Sequence, residues 1–154
     1  MKRKERKEKK ENGFTLAELL IVVAIIAVLA VIAIPVFGSR LENAREETDI
    51  ANMRSAKAAA VAMYLSGEDL ENQTLTSTGT TCYFDAASGM LVADVPVGYG
   101  RGTATDGGCE DFYMVVNPSE TVAQATYSGT SAVAGKYIKV FMNDTGTIQL
   151  VWEG

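Results

Sequence analysis

The sequence contains no histidine, and this absence removes the side chain on which many catalytic and metal sites depend. A Ser-His-Asp or Cys-His catalytic group cannot be built, and neither can a zinc site with histidine ligands. The only cysteines, Cys82 and Cys109, are too far apart in sequence for a C-x-x-C motif. We therefore expect a chain that is not an enzyme and that binds no metal and no cofactor.

Charged residues are nearly absent from a long apolar run close to the N-terminus. Every residue from Leu19 to Ile34 is Leu, Ile, Val or Ala, and further apolar residues extend the run to Phe14 and Phe37. As a helix, these 24 residues would be roughly 36 Å long, which exceeds the hydrocarbon core of a bilayer at about 30 Å. Proline is scarce as well, and Pro35 is the one strong interruption, where we expect a helix kink. The run is therefore predicted to span a membrane.

A secretory signal peptide is the alternative interpretation of the same run, because Val28-Leu29-Ala30 has the small residues of a cleavage site. The run is, however, longer than the apolar part of such a peptide, which has about 7–15 residues, and it continues past that site to Phe37. A membrane anchor is therefore favoured.

The charges that remain are divided unevenly between the two sides of the apolar run. Residues 1–13 carry seven Lys or Arg and three Glu, whereas the rest of the chain carries seven Lys or Arg and sixteen Asp or Glu. Because Lys and Arg resist translocation, the basic segment is predicted to stay in the cytoplasm and the C-terminal part to lie outside it. Outside the cytoplasm a pair of cysteines is more often oxidised than reduced, so Cys82 and Cys109 are predicted to form a disulfide. Two buried free thiols are the alternative.

Behind Pro35 the sequence becomes amphipathic, and the helical pattern continues to about Leu65, just before the stop signal Gly67. Small and apolar residues recur at steps of three and four, and charged residues fill many of the positions between them. Because small residues permit the close approach of a sheet, we expect this stripe to dock on the C-terminal domain. The stripe consists of Leu41, Ala44, Thr48, Ala51, Ser55, Ala58, Ala62 and Leu65.

From Gly67 onward, turn residues separate short runs of β-branched and aromatic residues, which is typical of β-structure. The last two predicted strands flank Asn143–Gly146, a good hairpin loop. Long loops are predicted over Asn72–Thr81 and Gly98–Gly108. The fold class is therefore predicted as α+β, with a long N-terminal helix packed on a C-terminal antiparallel β-sheet. The predicted strands are Met90–Val95, Phe112–Val116, Lys136–Met142 and Thr147–Trp152.

The segment Gly13-Phe14-Thr15-Leu16-Ala17-Glu18 resembles the processing site of type IV prepilins and pseudopilins. In that family a short basic leader ends in Gly, the mature chain begins with Phe, and a Glu stands four residues further on. The resemblance implies cleavage before Phe14 and N-methylation of the new terminus by a prepilin peptidase and N-methyltransferase. It also implies identical or related pilin subunits and an inner-membrane assembly machinery as partners, with the membrane as the environment before assembly.

Glu18 needs a physical reason to lie in an apolar span, since a charged side chain at the membrane centre costs on the order of 2.5–3.5 kcal/mol. The implied cleavage creates an amine at Phe14 with a reference pKa of about 7.7–8.0, which is largely protonated at neutral pH. Glu18 of one subunit is therefore predicted to pair with Phe14 of its neighbour during assembly. The alternative is a side chain that extends its carboxylate to the membrane surface.

Four segments follow from these observations: a cleaved leader (1–13), a transmembrane or filament-core helix (14–37), an amphipathic helix half (38–66) and a β-rich extracellular head (67–154). By resemblance we expect a structural subunit of a type IV pilus. It is expected to pass once through the cytoplasmic membrane before assembly and to lie at the cell surface afterwards. A pseudopilin of a type II secretion or DNA-uptake system is the second interpretation. The third is a signal-anchored extracellular domain unrelated to filaments.

Overall fold

The computed structural model describes residues 13–67, 75–113 and 125–154. Its first element is a 51-residue helix, α1 (Leu16–Ser66), which contains Pro35. The predicted helix from Phe14 to Leu65 is thereby confirmed to within two residues at each end. The chain divides into two compact units, one that ends at Phe37 and one that begins at Gly38, and α1 contributes residues to both.

Six strands follow the helix in the described residues: β1 (Thr80–Asp85), β2 (Met90–Val92), β3 (Phe112–Tyr113), β4 (Ala125–Tyr127), β5 (Tyr137–Met142) and β6 (Ile148–Glu153). Four of them form one sheet in the order β2-β1-β5-β6, in which all neighbours are antiparallel. A separate two-stranded sheet pairs β3 with β4. The predicted α+β class, with one long helix and an antiparallel sheet, is confirmed.

The predicted hairpin is present as β5 and β6, whose register runs from Tyr137 opposite Glu153 to Met142 opposite Ile148. In its turn, the Asn143 side-chain oxygen accepts the backbone N–H groups of the residues two and four positions later, at 3.2 and 2.8 Å. Asparagine is favoured in turns because its side chain can replace backbone acceptors in this way.

One predicted strand bound needs correction, and two strands were not predicted. β2 ends at Val92 rather than Val95, and β1 and β4 were missed, with β1 beginning inside the segment predicted as the first long loop. Of the predicted strand Phe112–Val116, the first two residues form β3, and the rest lies outside the described residues. Short strands with Thr, Cys and Ala depend on their partners in the sheet more than on their own composition.

The face of α1 that packs on the sheet differs from the predicted one. All eight positions of the predicted stripe, from Leu41 to Leu65, are exposed, so this prediction is wrong. The buried face instead carries Ile50, Met53 and two alanines, which join the inward side chains of the sheet in one apolar cluster. The reason is that Ile50 and Met53 remove more apolar area from water than Ala, Ser and Thr of the stripe.

Residues 98–102 run alongside residues 133–136 and belong to the packed domain rather than to a free loop. The N–H groups of Tyr99 and Gly100 both donate to the carbonyl of Lys136 at 2.9 Å. A β-carbon at Gly98 would lie 1.7 Å from a carbonyl oxygen of the facing segment, and one at Gly100 would lie 2.1 Å from another. Glycine is therefore required here by close backbone approach.

The Tyr99 hydroxyl ties this segment to the two central strands. It donates to the carbonyl of Phe84 in β1 at 2.8 Å and accepts the N–H of Ile138 in β5 at 3.1 Å. Burial raises the pKa of Tyr99 to about 12, so the hydroxyl keeps its proton and remains a donor at neutral pH.

Candidate functional site

The predicted cleavage position lies at the exposed start of α1. Gly13, Phe14 and Thr15 precede the helix, and all three are exposed, with 83% of the Phe14 surface accessible. A β-carbon at Gly13 would meet no atom within 4 Å. Packing within the described chain therefore does not require glycine at position 13. Any requirement for glycine has to come from a partner that recognises this segment.

Glu18 forms a capping box with Thr15 in the first turn of α1. The Glu18 oxygen Oε2 accepts hydrogen bonds from the Thr15 backbone N–H at 2.9 Å and from the Thr15 hydroxyl at 2.7 Å. In return, the Thr15 hydroxyl oxygen accepts the Glu18 backbone N–H at 3.3 Å. These bonds satisfy donors that the first helical turn leaves unpaired. Sequence reasoning missed Thr15, although Thr-x-x-Glu before an apolar run is a known signature of this cap.

Between Leu16 and Phe37 the helix presents apolar side chains on all sides. Every residue there except Ala30 and Ala33 is exposed, and Glu18 is the only charged one. By length and composition, α1 is able to cross a membrane. A helix that is apolar all round requires burial in lipid or in an assembly, and the described residues do not bury this half of α1.

The second half of α1 carries three carboxylates that bind the backbone of residues 101–109. Glu42, Glu46 and Asp49 share one face of the helix and are 5%, 0% and 0% exposed. All three accept hydrogen bonds from backbone N–H groups. The donors are Thr103 for Glu42, Gly107 at 2.6 Å and Cys109 at 3.1 Å for Glu46, and Arg101 at 2.9 Å and Gly102 at 2.6 Å for Asp49.

Burial and hydrogen bonding act in opposite directions on these carboxylates. Burial tends to raise the pKa of Glu42, but the bonds from Thr103 and a salt bridge to Arg45 at 3.0 Å outweigh it, and the pKa falls below its usual value. For Asp49, burial is the larger effect and raises the pKa despite the two backbone donors. Since a buried carboxylate without partners is strongly unfavourable, residues 101–109 are required for this helix face to be buried.

Two glycines allow the loop to approach the helix this closely. A β-carbon at Gly107 would lie 2.3 Å from the backbone nitrogen of Asn43 in α1. One at Gly102 would lie 2.4 Å from the Tyr127 hydroxyl and 3.0 Å from Asp49 Oδ2. The stretch predicted as a long loop has no helix or strand, and its glycines allow the backbone to pack closely against the helix.

The predicted disulfide between Cys82 and Cys109 is absent from the structure, in which both are free thiols. Cys82 points into the core, its thiol donates to the Val140 carbonyl at 3.6 Å, and burial raises its pKa to about 11. Cys109 is half-buried, and the pKa of its thiol is raised by burial and by the carboxylates of Glu46 and Glu47. The prediction was based on an even cysteine count and on the compartment. Neither contains information on the geometry that a disulfide requires.

The described residues contain no group of three or more His, Cys, Asp or Glu side chains placed to hold a metal ion. In the acidic stretch Asp106–Asp111, the first carboxylate accepts the N–H of Gly108 at 2.8 Å and thereby stabilises a local turn.

Residues 9–34 match the family model described as the prokaryotic N-terminal methylation motif. The match includes Gly13, Phe14, Glu18 and most of the apolar run, so the chain carries the signal of type IV pilin-like precursors, which marks structural pilin-type proteins rather than enzymes. The motif implies processing by a prepilin peptidase and assembly into a pilus-like filament. No curated protein and no solved structure matches the chain.

Proposed function

We propose that the chain is a subunit of a type IV pilus, made as a precursor that is cut before Phe14 and N-methylated there. The observation that carries the proposal is the position of the methylation motif on an exposed helix start. Processing needs an accessible peptide bond, and the surroundings of Gly13 leave it open. A prepilin peptidase with N-methyltransferase activity is the partner for this step.

The capping box prepares Glu18 for assembly. Both hydrogen bonds from Thr15 end on Oε2, and Oε1 has no hydrogen-bond partner among the described residues. The bonds lower the cost of placing the carboxylate beside lipid, because part of its charge is already solvated by protein donors. We expect Oε1 to accept a hydrogen bond from the methylated amine of Phe14 in a neighbouring subunit. This amine is a charged partner in a poorly screened environment.

The exposed apolar half of α1 requires two different apolar environments in succession. The residues from Leu16 to Phe37 are first covered by the cytoplasmic membrane and then by the same segment of other subunits. The basic residues 1–13 keep the leader in the cytoplasm, so the domain that begins at Gly38 lies outside it. An inner-membrane assembly machinery is the partner that moves the subunit from the membrane into the filament.

Intact-mass analysis of the mature protein tests the processing step. We expect a chain that begins at Phe14 and carries a methyl group, and a Gly13→Leu variant that keeps its leader. A Gly13→Ala variant is the matched control, because it adds the smallest side chain at a position with open space. A wild-type chain that begins at Met1, or after Ala30, would contradict the proposal.

Electron microscopy of cells that produce the protein separates the pilus from the alternatives. Extended surface filaments labelled by an antibody to the chain are expected for a pilus subunit. Short fibres that appear only with a secretion or DNA-uptake system identify a pseudopilin. A processed monomer that never enters a fibre would leave only the signal-anchored domain.

A further inference from the structure

Within the described residues, one segment of the domain is held to the rest by hydrogen bonds and by contact of the Gly107 backbone with α1, without any buried side chain of its own. Residues 103–108, the strap, contribute no buried side chain. The residues outside it are different, since Tyr99 and Phe112 both pack against the apolar core. Among the described residues, the hydrogen bonds from the strap to other parts of the domain all end on Glu42 and Glu46.

The strap has a local shape of its own, and its N-terminal end is held independently of Glu42 and Glu46. The N–H groups of Thr105 and Gly108 donate to side chains within the strap. Just before it, the Gly102 N–H donates to Asp49, which fixes that end. Just after it, the Cys109 N–H donates to Glu46, so a break from Glu46 also releases the backbone at this end. A movement of the strap away from the helix therefore breaks few bonds and requires no change in either sheet.

We propose that the strap detaches from α1 as a unit while the four-stranded sheet and its core stay folded, with Glu42 and Glu46 as the latch. Segments with few buried apolar contacts open locally at a lower free energy than the whole domain unfolds. Opening exposes the helix face from Glu42 to Glu46, so the domain has a covered and an uncovered form of this face. The opening does not depend on the proposed function.

The two free cysteines allow the opening to be measured in one chain. Cys109 follows the strap, its N–H donates to Glu46 and its side chain packs against the edge of the apolar core, so its thiol becomes reactive when this end of the strap is released; Cys82 is fully buried inside the core. Alkylation of Cys109 therefore reports on the latch, and alkylation of Cys82 reports on global unfolding. The full chain in detergent micelles is treated with iodoacetamide, and the modification of each cysteine is followed over time by mass spectrometry.

In the Glu46→Gln variant, the amide NH₂ faces a backbone N–H that the carboxylate accepted, so one latch bond is replaced by a repulsive contact. We expect the alkylation rate of Cys109 to rise at least about tenfold, which is the scale of losing one hydrogen bond to a charged group. Cys82 is expected to stay protected. An unchanged rate at Cys109 would overturn the proposal.

Glu47→Gln is the matched control. Glu47 is exposed and, like Glu46, raises the pKa of the Cys109 thiol, so the control removes a comparable charge without cutting the latch. Cys109 is expected to react much more slowly in this variant than in Glu46→Gln. Equal rates in the two variants would mean that charge alone sets the reactivity, and the proposal would be wrong.

Hydrogen exchange on the wild-type chain decides the question even where Glu46→Gln unfolds and exposes Cys82 as well. The Gly107 and Cys109 amides are expected to exchange through an opening that low denaturant hardly changes. The Val140 amide in β5 should exchange only through global unfolding, with a steep dependence on denaturant. The same protection and the same denaturant dependence for all three amides would show that no separate opening exists.

Discussion

The Glu18→Gln substitution separates the observed cap at the start of α1 from the assembly role that we propose for the same carboxylate. Glutamine still accepts a hydrogen bond in a capping box, but it carries no charge. Because Glu18 Oε2 is bonded to Thr15 at 2.9 and 2.7 Å, we expect the cap to persist in the variant. The ion pair that we propose with Phe14 of a neighbouring subunit would be lost. The variant should therefore insert and fold as the wild type does, yet assemble poorly.

The magnitude follows from the amine that is left buried without its partner. Removing one partner of a buried ion pair costs about 3–5 kcal/mol. Since about 1.4 kcal/mol is a factor of ten in an equilibrium constant, a loss of about 3 kcal/mol per added subunit raises the subunit level needed for assembly roughly a hundredfold. The cap is worth less, about 0.5–2 kcal/mol, and acts on the helix start alone.

Thr15→Val is the matched variant, because it removes the hydroxyl that bonds to Glu18 and keeps the charge. The assay compares sheared surface filaments with the total membrane-associated subunit for the wild type and both variants. Filament yield is expected to collapse for Glu18→Gln and to stay close to the wild type for Thr15→Val. Equal losses would show that the cap drives assembly, and a glutamine variant missing from the membrane would show that Glu18 serves insertion.

Three further predictions concern the packed domain. Gly102→Ala should destabilise it by about 1–3 kcal/mol in thermal melting, because the new β-carbon would overlap the Tyr127 hydroxyl, whereas Gly13→Ala should leave the melting temperature unchanged. Tyr99→Phe removes a hydroxyl that bonds to both central strands and should cost about 1–3 kcal/mol in chemical denaturation; an unchanged midpoint would contradict this role. Burial raises the pKa of Cys82 from 9.0 to about 11, so the unfolded thiol ionises first and the wild type should lose stability as pH rises between these values. Cys82→Ala should lose stability less steeply in that range, and equal slopes would refute the assignment.

The sequence alone determined the features that depend on neighbours along the chain. The extent of α1 was predictable because a long apolar run, broken only by Pro35, and its amphipathic continuation favour a helix residue by residue. The hairpin of β5 and β6 was predictable because alternating strands flank a turn whose Asn143 side chain bonds its own loop. The methylation motif from residue 9 to residue 34 is likewise a local pattern, and the cap at Thr15 was readable by the same means.

Only the tertiary structure decided which face of the second helix half is buried. By composition, Glu42, Glu46 and Asp49 belong to a solvated face, and the stripe of small residues is the better docking surface. The carboxylates are buried because backbone N–H groups more than fifty positions away along the chain reach them as donors. These N–H groups reach the carboxylates only when residues 101–109 are folded against α1. The periodicity of the helix sequence does not predict that contact.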